Sequence, residues 1–251
     1  MVFPLYDDNT DRQSTPWVNY LLIAINILVF VFLQQLGTNE RFTYALSTVP
    51  FEIVTGRDVL VPTPVPLYFT LITSMFMHGG IAHIAGNMLF LWIFGDQIED
   101  RLGHIRYAIF YLVCGVLASL AHVFATAALA GSDQSMMIPS LGASGAISGV
   151  LGGYILLHPS RRVTVLMFRF LTQVPAYVAI GIWFLFQLIS GLGMLGEGSQ
   201  QGGVAYAAHI GGFIAGLVLI KFFDIGPANV CRRISFTGFT RLRQDLRSNP
   251  E

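Results

Sequence analysis

The stretch PSLGASGAISGVLGGYILLHPSR, residues 139–161, decides how the rest of the chain is read. From Ser144 onward it is apolar and built of small residues, and His158 and Pro159 end it 14 residues later. At ~1.5 Å rise per residue that helix is about 21 Å long, whereas a hydrocarbon core is ~30 Å thick. A span of this length starts inside the bilayer. The segment 131–143 must then dip into the protein to deliver Ser144, because irregular backbone at membrane depth is tolerated only within protein or beside water.

The surrounding chain supports a membrane reading. Of its 251 residues 54% are hydrophobic and 11% charged, against ~25% charged in ordinary soluble domains. The formal net charge is zero, so no global field argues for nucleic acid. Cys114 falls in an apolar span and Cys231 in a basic tail, a spacing that offers neither a disulfide framework nor a metal site.

Six spans are predicted: Trp17–Leu33, a second from His78–His83 to Phe94, Tyr107–Leu129, Ser144–Leu157, Val174–Gly193 and Gly203–Phe223. The fold class is therefore an all-α polytopic membrane protein, a six-helix bundle with a short fourth helix. Residues 1–15 form a leader without the basic region of a cleaved signal, 16–224 the bundle, and 225–251 a basic tail at the cytosolic surface. With the N-terminus cytosolic, twelve of the fourteen Arg and Lys fall on the cytosolic side and only Arg41 and Arg57 opposite, as the positive-inside rule requires. The first loop, 36–68, is long and rich in Pro and aromatics, and is read as an ordered cap.

Polar side chains within a bilayer usually face a bundle interior or a water-filled cavity. Span two carries His83 and Asn87, at i and i+4 on one face; span four opens with Ser144; span six carries His209. Counted from the cytosolic ends, Ser144 and Asn87 lie about 21 Å up and His209 about 18 Å. The three spans thus bring their polar groups to one depth, about 10 Å below the outer surface. A serine hydroxyl is a poor nucleophile until a base takes its proton, and His209 is the best-placed base. Ser144 sits at a helix N-terminus, where free N–H groups stabilise negative charge. His83 and Asn87 can add side-chain donors, and Gly142 and Gly145 let the backbone bend.

Packing competes with this reading. Gly145, Gly149 and Gly153, with Gly212 and Gly216, are small-xxx-small steps that need no catalysis, and a lone membrane His is commonly a packing group or relay. The matched depth of four groups favours an enzyme. His122, His104 and His158 read as structural or interfacial, and His78 as a loop anchor. No His-Glu-x-x-His or intramembrane Asp pair is present.

Three motifs, HGGIAHIAGNMLFLWIFGDQIEDRLG (78–103), GASGAISG (142–149) and AHIGGFIAG (208–216), together resemble the rhomboid intramembrane serine proteases of the bacterial six-span type. The resemblance implies that Ser144 is the nucleophile and His209 the general base, a dyad with no third carboxylate. It implies an oxyanion hole from His83, Asn87 and the Ser144 backbone N–H, with Gly142 turning the loop before the nucleophile. Glu99 and Arg101 would be structural, and Trp183 and Phe184 would line a mobile fifth span at the substrate's way in. Substrates would be single-span membrane proteins cut in or near the transmembrane segment, without metal or cofactor. The setting would be a bacterial inner membrane with the site open to the non-cytosolic face. Two positions depart from the family pattern. Phe69 and Thr70 stand where Trp-Arg often precedes span two, and Ser148 stands where an aromatic often stacks on the catalytic His; Tyr206 is the candidate substitute. Two other classes remain in play. One is a catalytically silent rhomboid-like protein that binds membrane clients. The other is a small transporter, which the lack of paired broken helices disfavours.

Overall fold

The computed structural model describes residues 2–129, 133–167, 170–193 and 206–224. The tail 225–251 and the first residues of the expected sixth span lie outside the described residues. A strand β1 (Val2–Asp7) precedes α1 (Trp17–Leu28), which runs on as a π-helical turn, Val29–Leu33. The first loop holds two short helices, α2 (Glu40–Ala45) and α3 (Pro50–Thr55). A third, α4 (Thr70–Thr73), leads into α5 (Ile81–Leu102) through a sharp bend. Then come α6 (His104–Leu129), the single-turn α7 (Asp133–Met136) and α8 (Ser144–Leu157). A hairpin β2 (Arg162–Met167) and β3 (Phe170–Pro175) feeds α9 (Ala176–Gly193), and α10 (Tyr206–Phe223) follows.

Among the described residues, two helices, α6 and α10, are long and apolar enough to cross a membrane. Counting the bent pair Leu67–Phe76 and Ile81–Leu102 as one span makes three. Trp17–Leu33, Ser144–Leu157 and Ala176–Gly191 are shorter apolar helices. Both α6 and α10 leave large apolar side chains exposed, Phe124, Val218 and Phe222 among them, as helices apolar on more than one face do when an apolar medium surrounds them.

Helix α8 is the axis of the bundle. Every residue from Gly145 to Tyr154 is buried, packed between α5, α6 and α10. The α8–α10 contact is backbone on backbone: a Cβ at Gly212 would collide with the Gly145 carbonyl, and one at Gly216 with the Gly149 carbonyl. Without a hydrophobic drive between helices in lipid, such close approach supplies the association through van der Waals contact.

Two elements differ from expectation. The fold is not wholly helical: β1, β2 and β3 form an antiparallel sheet in that order. The alternation of buried Val163 and Val165 with less buried neighbours is the period-2 pattern of a half-buried strand, and the leader supplies its partner. Helix α5 also runs eight residues past Phe94, the expected end. Its polar residues do not stop it because the leader pairs with them. Asp96 accepts from Asn9 and Arg12 at 2.9 Å. Asp100 accepts from the Ser14 N–H at 2.6 Å. Glu99, fully buried, accepts the Val18 and Asn19 N–H groups at 2.9 and 2.7 Å and so caps the otherwise orphaned donors of α1. Arg101 forms a bidentate pair with Asp224, both bonds at 2.9 Å. Glu99 and Arg101 thus have structural partners.

The first loop is stitched to the segment before Ser144. Thr48 and Ser140 exchange backbone hydrogen bonds of 3.0 and 2.7 Å. The Thr48 hydroxyl donates to the Thr70 carbonyl at 2.9 Å, and Thr73 to the Leu46 carbonyl at 2.8 Å. Phe69 is half exposed and Thr70 buried, so hydroxyl–carbonyl bonds hold the loop where the family pattern has Trp-Arg.

Candidate active site

Ser144 is the first residue of α8, and the turn that presents it is built at Gly142. That glycine has φ of +121°, a region L side chains rarely enter. Its N–H is held by the Ser74 carbonyl at 2.8 Å. A Cβ there would lie 2.9 Å from His83 Nε2 and 3.6 Å from Asn87 Nδ2. The glycine therefore answers two demands, the turn and the close approach of the α5 side chains to the backbone just before Ser144.

His209, on α10, stands opposite: its Nε2 is 2.8 Å from Ser144 Oγ, hydrogen-bond reach for a nucleophile and base. The contact of α8 with α10 at Gly145 and Gly212 sets this distance, because both helices are fixed within a turn of the two side chains. On the other flank, His83 Nδ1 accepts the Gly79 N–H at 3.4 Å. That choice leaves the ring proton on Nε2, the nitrogen facing Gly142. Asn87 is buried, and its Nδ2 has no partner among the described residues. An unpaired buried donor is costly unless something accepts from it, and an oxyanion formed at Ser144 is such an acceptor. All five residues singled out in the sequence (Ser144, His209, His83, Asn87 and Gly142) therefore stand together.

Three other histidines lie elsewhere or serve other ends. His78 is buried edge-on to His83, ring centroids 5.2 Å apart. Its backbone is clamped by Gln34, which donates to its carbonyl at 2.9 Å and accepts its N–H at 3.0 Å. His104 pairs with Glu99. His158 ends α8 and packs on Tyr154.

Ser148, one turn past Ser144, donates to the Ser144 carbonyl at 2.7 Å. Tyr206 meets His209 edge-on at 6.5 Å, and Trp183 lies closer at 6.0 Å. Sequence reasoning missed one neighbour. Gln187 of α9, buried, has its Oε1 2.9 Å from His209 Nδ1. The signal was an amide alone in the apolar run AIGIWFLFQLI.

A family model described as Rhomboid domain matches residues 67–223. The chain is 30% identical over 207 residues to "Rhomboid protease GluP" of Bacillus subtilis, covering 82% of this chain and 34% of that one. It is also 30% identical over 203 residues to "Rhomboid protein 1, mitochondrial" of Saccharomyces cerevisiae, covering 79% and 51%. To "RHOMBOID-like protein 4" of Arabidopsis thaliana it is 28% identical over 230 residues, covering 83% and 52%. The chain thus spans about half or less of the length of these relatives. Their names come from a bacterium, a mitochondrion and a plant, so the similarity points to a membrane protein and does not single out the bacterial inner membrane expected from the sequence.

Proposed function

Because the chain belongs to the rhomboid family, we propose that it is an intramembrane serine endopeptidase acting on single-span membrane proteins in or near their transmembrane segments. The observation that carries this reading is the 2.8 Å separation of His209 Nε2 and Ser144 Oγ. In the proposed mechanism Ser144 Oγ attacks the scissile carbonyl carbon while its proton passes to His209 Nε2. The resulting oxyanion takes hydrogen bonds from the Ser144 N–H, Asn87 Nδ2 and His83 Nε2. Collapse breaks the C–N bond, and His209 gives its proton to the leaving amine. Water then attacks the acyl-enzyme, its proton going to Nε2 and returning to Ser144 Oγ. No step calls on a metal or cofactor.

We further propose that α1, α5, α6, α8, α9 and α10 make six crossings. The termini are cytosolic, in keeping with the Arg and Lys distribution, and the site opens to the opposite face, whence water comes. Helix α8 is short because its upper end is the reaction centre and not a membrane boundary.

A fluorophosphonate probe, which loses fluoride to an activated serine oxygen, tests the reading on purified detergent-solubilised protein. Native protein labels, and Ser144→Ala and His209→Ala do not, with helical content unchanged. Well-folded native protein that fails to label, yet binds membrane clients equally well with Ser144→Ala, overturns it in favour of a client-binding protein.

A further inference from the structure

A Ser–His pair in isolation leaves one question open: what keeps the imidazole proton on the far nitrogen. His209 can accept the Ser144 proton only while Nε2 carries a lone pair, which requires the ring proton on Nδ1. A neutral imidazole exchanges between its two tautomers, and in the wrong one Nε2–H donates to Ser144 Oγ and the base is silent. An acceptor facing Nδ1 decides the matter. The two aromatic neighbours of His209 cannot do it: Trp183 and Tyr206 meet its ring at 6.0 and 6.5 Å between centroids. Nor can Ser148, whose hydroxyl is spent on the Ser144 carbonyl.

We propose that Gln187 is the positioning residue of the dyad, its side-chain carbonyl on α9 accepting the Nδ1–H of His209 and thereby holding Nε2 free for Ser144. The inference rests on the protease reading above. It has three supports. The separation of 2.9 Å is that of a good hydrogen bond. Gln187 is a buried amide within a helix of apolar side chains, and a polar group so placed is costly without a partner. An amide also suits the surroundings better than a carboxylate, since an unpaired charge in this setting is far more expensive to bury. The amide oxygen orients the ring as a carboxylate would, while giving less support to the imidazolium that forms.

The source of this residue has a further effect. Ser144 and His209 lie on α8 and α10, which are locked by glycine contacts. Gln187 lies on α9, whose half nearest Gln187 meets the bundle through aromatic contacts: Phe184 stacks on Phe213 at 4.2 Å, and Trp183 meets Phe90 and Phe213 at 6.4 and 6.5 Å. Outward displacement of α9 withdraws the acceptor from Nδ1 without moving Ser144 or His209.

The test compares native protein with Gln187→Met, which keeps length and loses the acceptor, and Gln187→Glu, which keeps an acceptor. The rate of fluorophosphonate labelling is measured against probe concentration and pH, and the His209 tautomer is read by 15N resonance of histidine-labelled protein. Gln187→Met should slow the maximal labelling rate about ten- to a hundredfold, at or below the lower end of general-base effects, because the base is kept and only its orientation is lost. The half-saturating probe concentration should be unchanged and the Nδ1–H signature weakened. Gln187→Glu should restore the rate to within a few-fold, with a displaced pH profile. Native-rate labelling and an unchanged tautomer in Gln187→Met overturn the proposal; if the Met variant does not fold, a folded Gln187→Glu that labels tenfold or more slowly than native protein overturns it. Absence of labelling in native protein instead sinks the protease reading itself, so the two failures are distinct.

Discussion

Asp7 is a carboxylic acid in surroundings that disfavour its charge. It is buried, takes one hydrogen bond from the Tyr154 hydroxyl at 2.8 Å, and has Asp96 nearby. Burial, with some help from Asp96, pushes its carboxyl up to about 7, against the opposing pull of Tyr154 and Arg161. Between about pH 4 and 7 the folded chain therefore holds a proton that the unfolded chain releases. Stability from this group is fully present below pH 4 and is lost as pH rises to 7, at no more than about 1.4 kcal/mol per unit. Asp7→Asn should remove that slope. The variant should melt at a higher temperature than native protein at pH 7.5 and lose this advantage at pH 4.5, as followed by thermal unfolding in detergent. A constant difference across that range would show that the group is not protonated in the fold.

At the scale of the element, the α8–α10 contact decides both stability and geometry. Gly216→Ala puts a methyl against the Gly149 carbonyl, and overpacking of this kind costs about 1–3 kcal/mol. It should lower the melting temperature and slow serine labelling together, because the helices that carry Ser144 and His209 must part. Gly181→Ala on α9 is the control: its added carbon meets nothing within 4 Å, and neither property should fall. The short α8 was legible in the sequence because Gly142 and Ser144 mark its start and His158 and Pro159 its end. So were His83, Asn87 and His209, since polar groups in apolar runs stand out. The sheet was not legible, because β1 and β2 pair across most of the chain and each is only six residues long. The end of α5 was misread because Asp96, Gln97 and Glu99 look like a boundary until their partners in the leader are known. Gln187 was passed over because its meaning depends on a residue of another helix.

Taken whole, the molecule is polar at one end and reactive near the other. Arg12, Asp96, Asp100, Arg101, Asp11, Arg161 and Asp224 form ion pairs and hydrogen bonds around the foot of the bundle. Ser144 is at the opposite end of α8 from His158. If the polar end is cytosolic, Ser144→Cys in a Cys231→Ser background should react with a membrane-impermeant thiol reagent added from the non-cytosolic side. Cys114 is buried and should remain silent. Reaction only from the cytosolic side would invert the proposed orientation. The sheet at the foot also bears on the order of assembly. Arg161 bonds Asp11 across 150 residues, and at ~5–20 residues per second its synthesis trails that of the leader by roughly eight to thirty seconds. For that interval β1 has no register partner and Asp7 no hydroxyl to meet. The leader strand can close only after α8 has been made, so its docking is a late event in biogenesis and marks a chain whose first four apolar helices are already in place.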